Sequence, residues 1–130
     1  MTVNLPKQTI LIVEDQAGPR EALMMILGSL YLVYTAETAA AALKILVDRP
    51  IDLVITDVGL PDCSGIELLR RVRAGGQDVK VIVMSGGGSL ETAQEVFRLG
   101  AVAYLLKPFN FRELQTLISD ALKGTSANSA

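Results

Sequence analysis

The sequence predicts an α/β fold: a five-stranded parallel sheet with helices wound on both faces. Three observations predict it. Short apolar runs alternate five times with stretches of helical periodicity. The central run, Leu53-Val54-Ile55, lacks polar alternation, as expected of a strand covered on both sides. The 130 residues are 50% hydrophobic and 20% charged, the composition of one globular domain large enough for a real core.

Each element has its own signal. Thr9-Ile10-Leu11-Ile12-Val13 forms the first strand, closed by Glu14-Asp15. Leu23, Ile26, Leu27 and Leu30 recur at helical spacing, which predicts a first helix with these residues facing the core. Tyr31 to Ala36 is a short second strand. Ala39, Ala42, Leu43 and Leu46 repeat the helical spacing, and Arg49-Pro50 stops that helix, because the residue before proline is pushed out of the α region. The third strand, starting near Ile51, reaches Asp57 and is ended by Gly59 and Pro61. Ser64-Gly65-Ile66-Glu67 reads as a capping box opening a third helix, which runs to about Ala74 and ends at Gly75-Gly76. Val79 to Met84 is the fourth strand, and Ser85 to Ser89 a glycine-rich, flexible loop. Ala93, Val96, Phe97 and Gly100 mark the fourth helix, and Ala103 to Leu106 the fifth strand. Asn110 to Glu113 is a second capping box, opening a helix with Phe111, Leu114, Leu117, Ile118 and Ala121 inward. Gly124 closes that helix, which makes residues 1–124 the expected domain and 125–130 a flexible tail. Right-handed crossovers then favour the flavodoxin-like strand order 2-1-3-4-5.

Composition excludes several classes of function. No apolar run approaches the roughly 20 residues that span a bilayer. Met1 to Gln8 lacks the basic start and long apolar core of a signal peptide, so no membrane association and a cytoplasmic location are expected. The single cysteine, Cys63, has no internal disulfide partner and is read as a bystander. A net charge of −2 with scattered Lys and Arg gives no electrostatic footprint for nucleic acid. Without histidine, the chain has no imidazole metal site, no Ser-His triad and no histidine phosphodonor of its own.

The predicted strand order gathers chemistry on one rim. Strands one, three, four and five end, respectively, in Glu14-Asp15, Asp57, Ser85 and Lys107-Pro108, where open α/β sheets hold their ligands. Three carboxylates share a site fully ionised only when cations neutralise them. An all-oxygen set without His or Cys selects a hard ion such as Mg²⁺ (or Mn²⁺). A cation, the Lys107 ammonium, the Ser85 hydroxyl and free amides suit a dianionic phosphoryl group, with the central Asp57 as a carboxylate nucleophile.

These pieces together resemble the receiver domain of bacterial two-component response regulators, over essentially residues 8–123. They are Glu14-Asp15, the Asp57-Val58-Gly59-Leu60-Pro61 turn with Gly65 beyond it, Ser85-Gly86, and Lys107-Pro108-Phe109, each after its own strand. The resemblance implies a phosphorylation-activated signalling switch, not an enzyme acting on other substrates. Asp57 would accept a phosphoryl group from a histidine kinase or a histidine phosphotransfer protein. Asp15 and Asp57 would bind Mg²⁺ directly with the Gly59 carbonyl, and Glu14 mainly through water. Ser85, Lys107 and the amides of Val58 and Gly86 would contact the phosphoryl oxygens. Tyr104 matches an aromatic that turns inward on activation. Output would pass through the face formed by helix four, strand five and helix five, to an effector domain or a second copy.

Two departures from the family pattern stand out. Gly86, Gly87 and Gly88 form an unusually glycine-rich loop, with an entropic cost when it orders. Gly59 stands where the family often has a larger polar residue. The alternative function is an interaction module that works without phosphorylation. A dehalogenase-like phosphatase would need an Asp at position 59, and a nucleotide-binding module would need a phosphate-cradling loop with its Lys; neither is present.

Overall fold

The computed structural model describes residues 7–127. Its elements follow one another as β1 (Thr9–Val13), α1 (Ala17–Leu27), β2 (Leu32–Ala36), α2 (Ala39–Asp48) and β3 (Leu53–Asp57), then α3 (Gly65–Ala74), β4 (Lys80–Ser85), α4 (Leu90–Arg98), β5 (Ala103–Leu106) and α5 (Phe111–Ala127). The strands form one parallel sheet in the order β2-β1-β3-β4-β5, as predicted.

Alternation along each strand divides the core in two. Ile10, Ile12, Leu53, Ile55, Ile82 and Met84 face one side, where α1 and α5 cover them with Leu23, Leu27, Leu114 and Ile118. Leu11, Val13, Val54, Val81 and Val83 face the other, against α2, α3 and α4 through Ala42, Leu46, Leu68, Val72 and Val96. Complete burial of a large aliphatic side chain is worth about 1.5–3 kcal/mol. The central strands therefore dominate the sheet, and β2, whose Leu32 is exposed, is its weaker edge.

Local signals explain the helix starts. Ser64 caps α3 by accepting from the Glu67 amide at 3.1 Å, and Thr38 caps α2 by accepting from Ala41 at 3.0 Å. Asn110 opens α5 by accepting from the Glu113 amide at 2.8 Å. The capping box at Ser64 is half formed: the Glu67 carboxylate turns outward to Arg70 and Arg71 instead. Solvent-side ion pairing competes successfully for a carboxylate at that position.

Five expectations need correction. Only Leu23 and Leu27 of the α1 stripe are buried; Ile26 lies on the flank, and Leu30 falls beyond the helix end, so both are exposed. Phe97 is exposed because α4 inserts Val96, about 100° round the helix, into the core. Phe111, the first residue of α5, is exposed at the sheet's end. Ser85 belongs to β4 and is buried, because it pairs with Leu106 of β5. Finally, α5 passes through Gly124 to Ala127: a glycine costs a helix about 1 kcal/mol without ending it. Of the expected tail, 128–130 lie outside the described residues.

Candidate functional site

Strand register builds the site. Val13 of β1 lies level with Thr56 of β3, which brings Glu14 alongside Asp57. Asp57 is level with Met84, one residue before Ser85, and Ser85 is level with Leu106, one before Lys107. Four strands thus deliver Glu14, Asp15, Asp57, Ser85 and Lys107 to one rim. Lys107 is joined to Pro108 by a cis peptide bond.

Lys107 binds two of the three acids. Its Nζ donates to Asp57 Oδ2 at 2.6 Å and to Glu14 Oε1 at 3.2 Å. Glu14 is 1% exposed, and its second oxygen accepts from the Gln16 amide at 3.3 Å. Burial raises the Glu14 carboxyl above its ordinary pKa; the Asp57 charge adds to this, while the bonds to Lys107 and Gln16 oppose it. For Lys107, burial works against the charged form, but hydrogen bonds to Asp57 and Glu14 prevail and raise its pKa. Asp57 Oδ1 accepts from the Gly59 amide at 3.1 Å.

Asp15 is half-buried at the same rim, and nothing among the described residues bonds its carboxylate. Arg20 braces the acidic turn through its backbone, donating to the carbonyls of Glu14 (3.1 Å) and Asp15 (3.3 Å) and pairing with Glu37. Three rim carboxylates therefore meet one ammonium that touches two of them. No three acids among the described residues converge closely enough to enclose a metal alone. That donor set fits an ion such as Mg²⁺, which takes one or two carboxylates and keeps several waters.

The remaining expected groups divide. Ser85 is buried at the end of β4, its hydroxyl accepting from the Gly87 amide at 3.3 Å. The Gly86 amide makes no hydrogen bond among the described residues. The Val58 amide is not free as expected: it donates to the Met84 carbonyl at 2.9 Å, extending the β3–β4 ladder one residue past Asp57. Tyr104 packs on the α4 side of the sheet, and its hydroxyl is buried without a hydrogen-bond partner. Cys63 is a half-buried free thiol whose pKa is raised by burial.

Two residues were not singled out as site residues by the sequence reading. Asp62 accepts from the Ala39 and Ala40 amides, both at 2.9 Å, and so pins the loop after Asp57 to the first turn of α2. Those bonds hold its carboxyl below the ordinary value. Gly65 faces the Asp57 backbone so closely that a side chain would overlap the Asp57 carbonyl oxygen. Asp62 follows Pro61 in an evident turn, but its partners lie 22 and 23 residues away.

Comparison with known proteins agrees with this fold. The response regulator receiver domain family model matches residues 10–119. The chain is 39% identical over 114 residues to the transcriptional regulatory protein MalR of Bacillus subtilis, covering 85% of this chain and 48% of MalR. It is 34% identical over 116 residues to sporulation initiation phosphotransferase F of the same species, covering 88% and 94% respectively. The chain thus spans about half the length of MalR, and 26% of the Azospirillum brasilense regulator NtrC. Among solved structures, a CheY-like receiver domain protein from Methanospirillum hungatei superposes with a TM-score of 0.89 at 32% identity, over 94% of this chain and 98% of that one. Fold, family match and relatives agree: this chain belongs to the response regulator receiver domain family of two-component systems.

Proposed function

We propose that Asp57 is the phosphoacceptor of a signalling switch, charged by a histidine kinase or a histidine phosphotransfer protein. One observation carries the reading: Lys107 Nζ spans Asp57 and Glu14 at the carboxyl edge of the sheet. It sets an ammonium against the acceptor carboxylate, beside the arriving phosphoryl oxygens. An Asp57 carboxylate oxygen forms a bond to phosphorus as the donor's P–N bond breaks. The electron pair of that bond returns to the donor imidazole, and an acyl phosphate remains on Asp57.

Glu14 fixes Lys107 from the buried side, and the Gly59 amide orients Asp57 through Oδ1. Ser85 and the Gly86 amide receive the phosphoryl oxygens. Receiver domains generally bind Mg²⁺ at this position; here Asp15, Asp57 and the Gly59 carbonyl would hold it, with Glu14 acting through water. When bound, the ion neutralises charge on the transferring group. The phosphoryl group adds a charge of about −1.5 to −2. Ser85 and Lys107 reorganise around it, and the change is read at the face formed by α4, β5 and α5 by an effector domain or a second copy.

Intact-protein mass after incubation with a small acyl-phosphate donor tests this, with and without Mg²⁺ and beside Asp57→Asn. One phosphoryl group gained only with Mg²⁺, and only by the unsubstituted chain, is the expected result. No adduct, together with no response to beryllofluoride, favours the interaction module that works without phosphorylation.

A further inference from the structure

The three loop glycines are not equivalent. A Cβ built on Gly86 or Gly87 meets nothing within 4 Å. One built on Gly88 overlaps the Tyr104 hydroxyl oxygen and stands 2.7 Å from its Cζ and 3.1 Å from its Cε2. The hydroxyl is buried and has no hydrogen-bond partner among the described residues, so no hydrogen bond fixes the ring's position. Shape does. Gly88 has no positive φ, so its backbone accepts any L-residue; what it cannot accept is a side chain with the ring in place.

We propose that Gly88 is the positioning residue for Tyr104: the missing side chain creates the slot that seats the phenol beneath the loop. Ser85 ends β4 just before that loop, and its hydroxyl accepts from Gly87 one residue before the slot. A side chain at position 88 displaces the ring toward the α4–β5 surface, where Phe97 and Leu106 are already exposed. The bearing of this slot on signalling rests on the function proposed above. The seat itself is a property of the chain without any phosphodonor.

The test uses the whole chain with ¹³C-labelled tyrosine rings and neither donor nor metal. It has three tyrosines, and a Tyr104→Phe variant assigns the third. A water-soluble paramagnetic chelate then reports the solvent exposure of each ring. In the natural sequence and in Gly87→Ala, the Tyr104 resonance should be the least broadened of the three. In Gly88→Ala it should shift and broaden at least as much as Tyr31 and Tyr34.

Unchanged shielding in Gly88→Ala overturns the proposal, as does equal exposure in Gly87→Ala or a Tyr104 ring already exposed in the natural chain. Unfolding midpoints provide a second reading if Gly88→Ala folds poorly. Gly88→Ala should lower the midpoint with Tyr104 present and have no such effect in Tyr104→Leu. Equal lowering in both backgrounds also overturns the proposal. Neither measurement involves Asp57 chemistry, so failure here is distinct from failure to form the Asp57 adduct.

Discussion

Lys107 holds Glu14 in an environment that would otherwise reject a charge. Replacing Lys107 with Ala leaves a carboxylate that is 1% exposed with only the 3.3 Å bond from Gln16. At neutral pH the expected cost is about 1–3 kcal/mol, that of a buried group losing its partner. The sign with pH follows from Glu14. Its folded-state pKa is already raised by burial and rises further without the ammonium. A group with a raised folded pKa contributes stability that is lost as pH rises through that value. The deficit of Lys107→Ala should therefore be larger at pH 8 than at pH 5, measured as urea midpoints of both chains. In the natural chain, the raised Lys107 contributes stability present below its ordinary value of 10.5 and lost as pH rises through its folded value. The identities of Glu14, Asp57 and Lys107 as rim residues were legible in the sequence. The commitment of the Val58 amide to Met84 was not, because ladder length past a strand end depends on where the neighbouring strand ends.

Arg73 ties three elements together. From the last turn of α3 its guanidinium donates to Leu99 O (2.9 Å), Gly100 O (3.2 Å), Gln77 O (3.2 Å) and Val79 O (2.7 Å). It thus satisfies carbonyls at the end of α4 and before β4, where the helix dipole also favours a cation. Beside it, Arg70 reaches Glu95 at 2.9 Å, a more exposed pair that solvent screens. Arg73→Met keeps the apolar stem and loses the fork; it should cost about 2–4 kcal/mol. Arg73→Lys should recover little of that, since an ammonium cannot reach the carbonyls of Leu99 and Gly100 and those of Gln77 and Val79 at once. Urea unfolding of both variants checks this, and amide exchange at Leu99 to Ala101 should accelerate more than in α2. A capping box identified α3 and apolar spacing identified α4, but neither could predict this link. Arg73 reads as one more exposed basic residue, and its acceptors are backbone carbonyls that any sequence supplies.

At the scale of the molecule, the acidic rim predicts a stability response to metal. A cation that binds only the folded chain stabilises it by about 2.7 kcal/mol at a hundredfold excess over Kd. Mg²⁺ should therefore raise Tm, a chelator should reverse the rise, and Asp15→Asn should reduce it. An equal rise in the Asp15→Asn chain would mean that general screening, not the rim, is responsible. No helix among the described residues is long and apolar enough to cross a membrane. Among the apolar residues that remain exposed, Met25 and Leu90 lie on helices and Leu106 on the edge strand β5.

Local signals along the chain were enough to specify the five strand–helix units, their order in the sheet and the rim on which Glu14, Asp15, Asp57, Ser85 and Lys107 meet. Periodicity, turn residues and crossover handedness act over short stretches of chain, and a linear reading captures them. Tertiary structure alone decided that Lys107 binds Asp57 and Glu14, 50 and 93 residues away, and that Asp62 anchors α2. It also decided that Gly88 makes room for Tyr104. These choices depend on side-chain reach and excluded volume between segments distant in the chain, and both are set only when the layers pack.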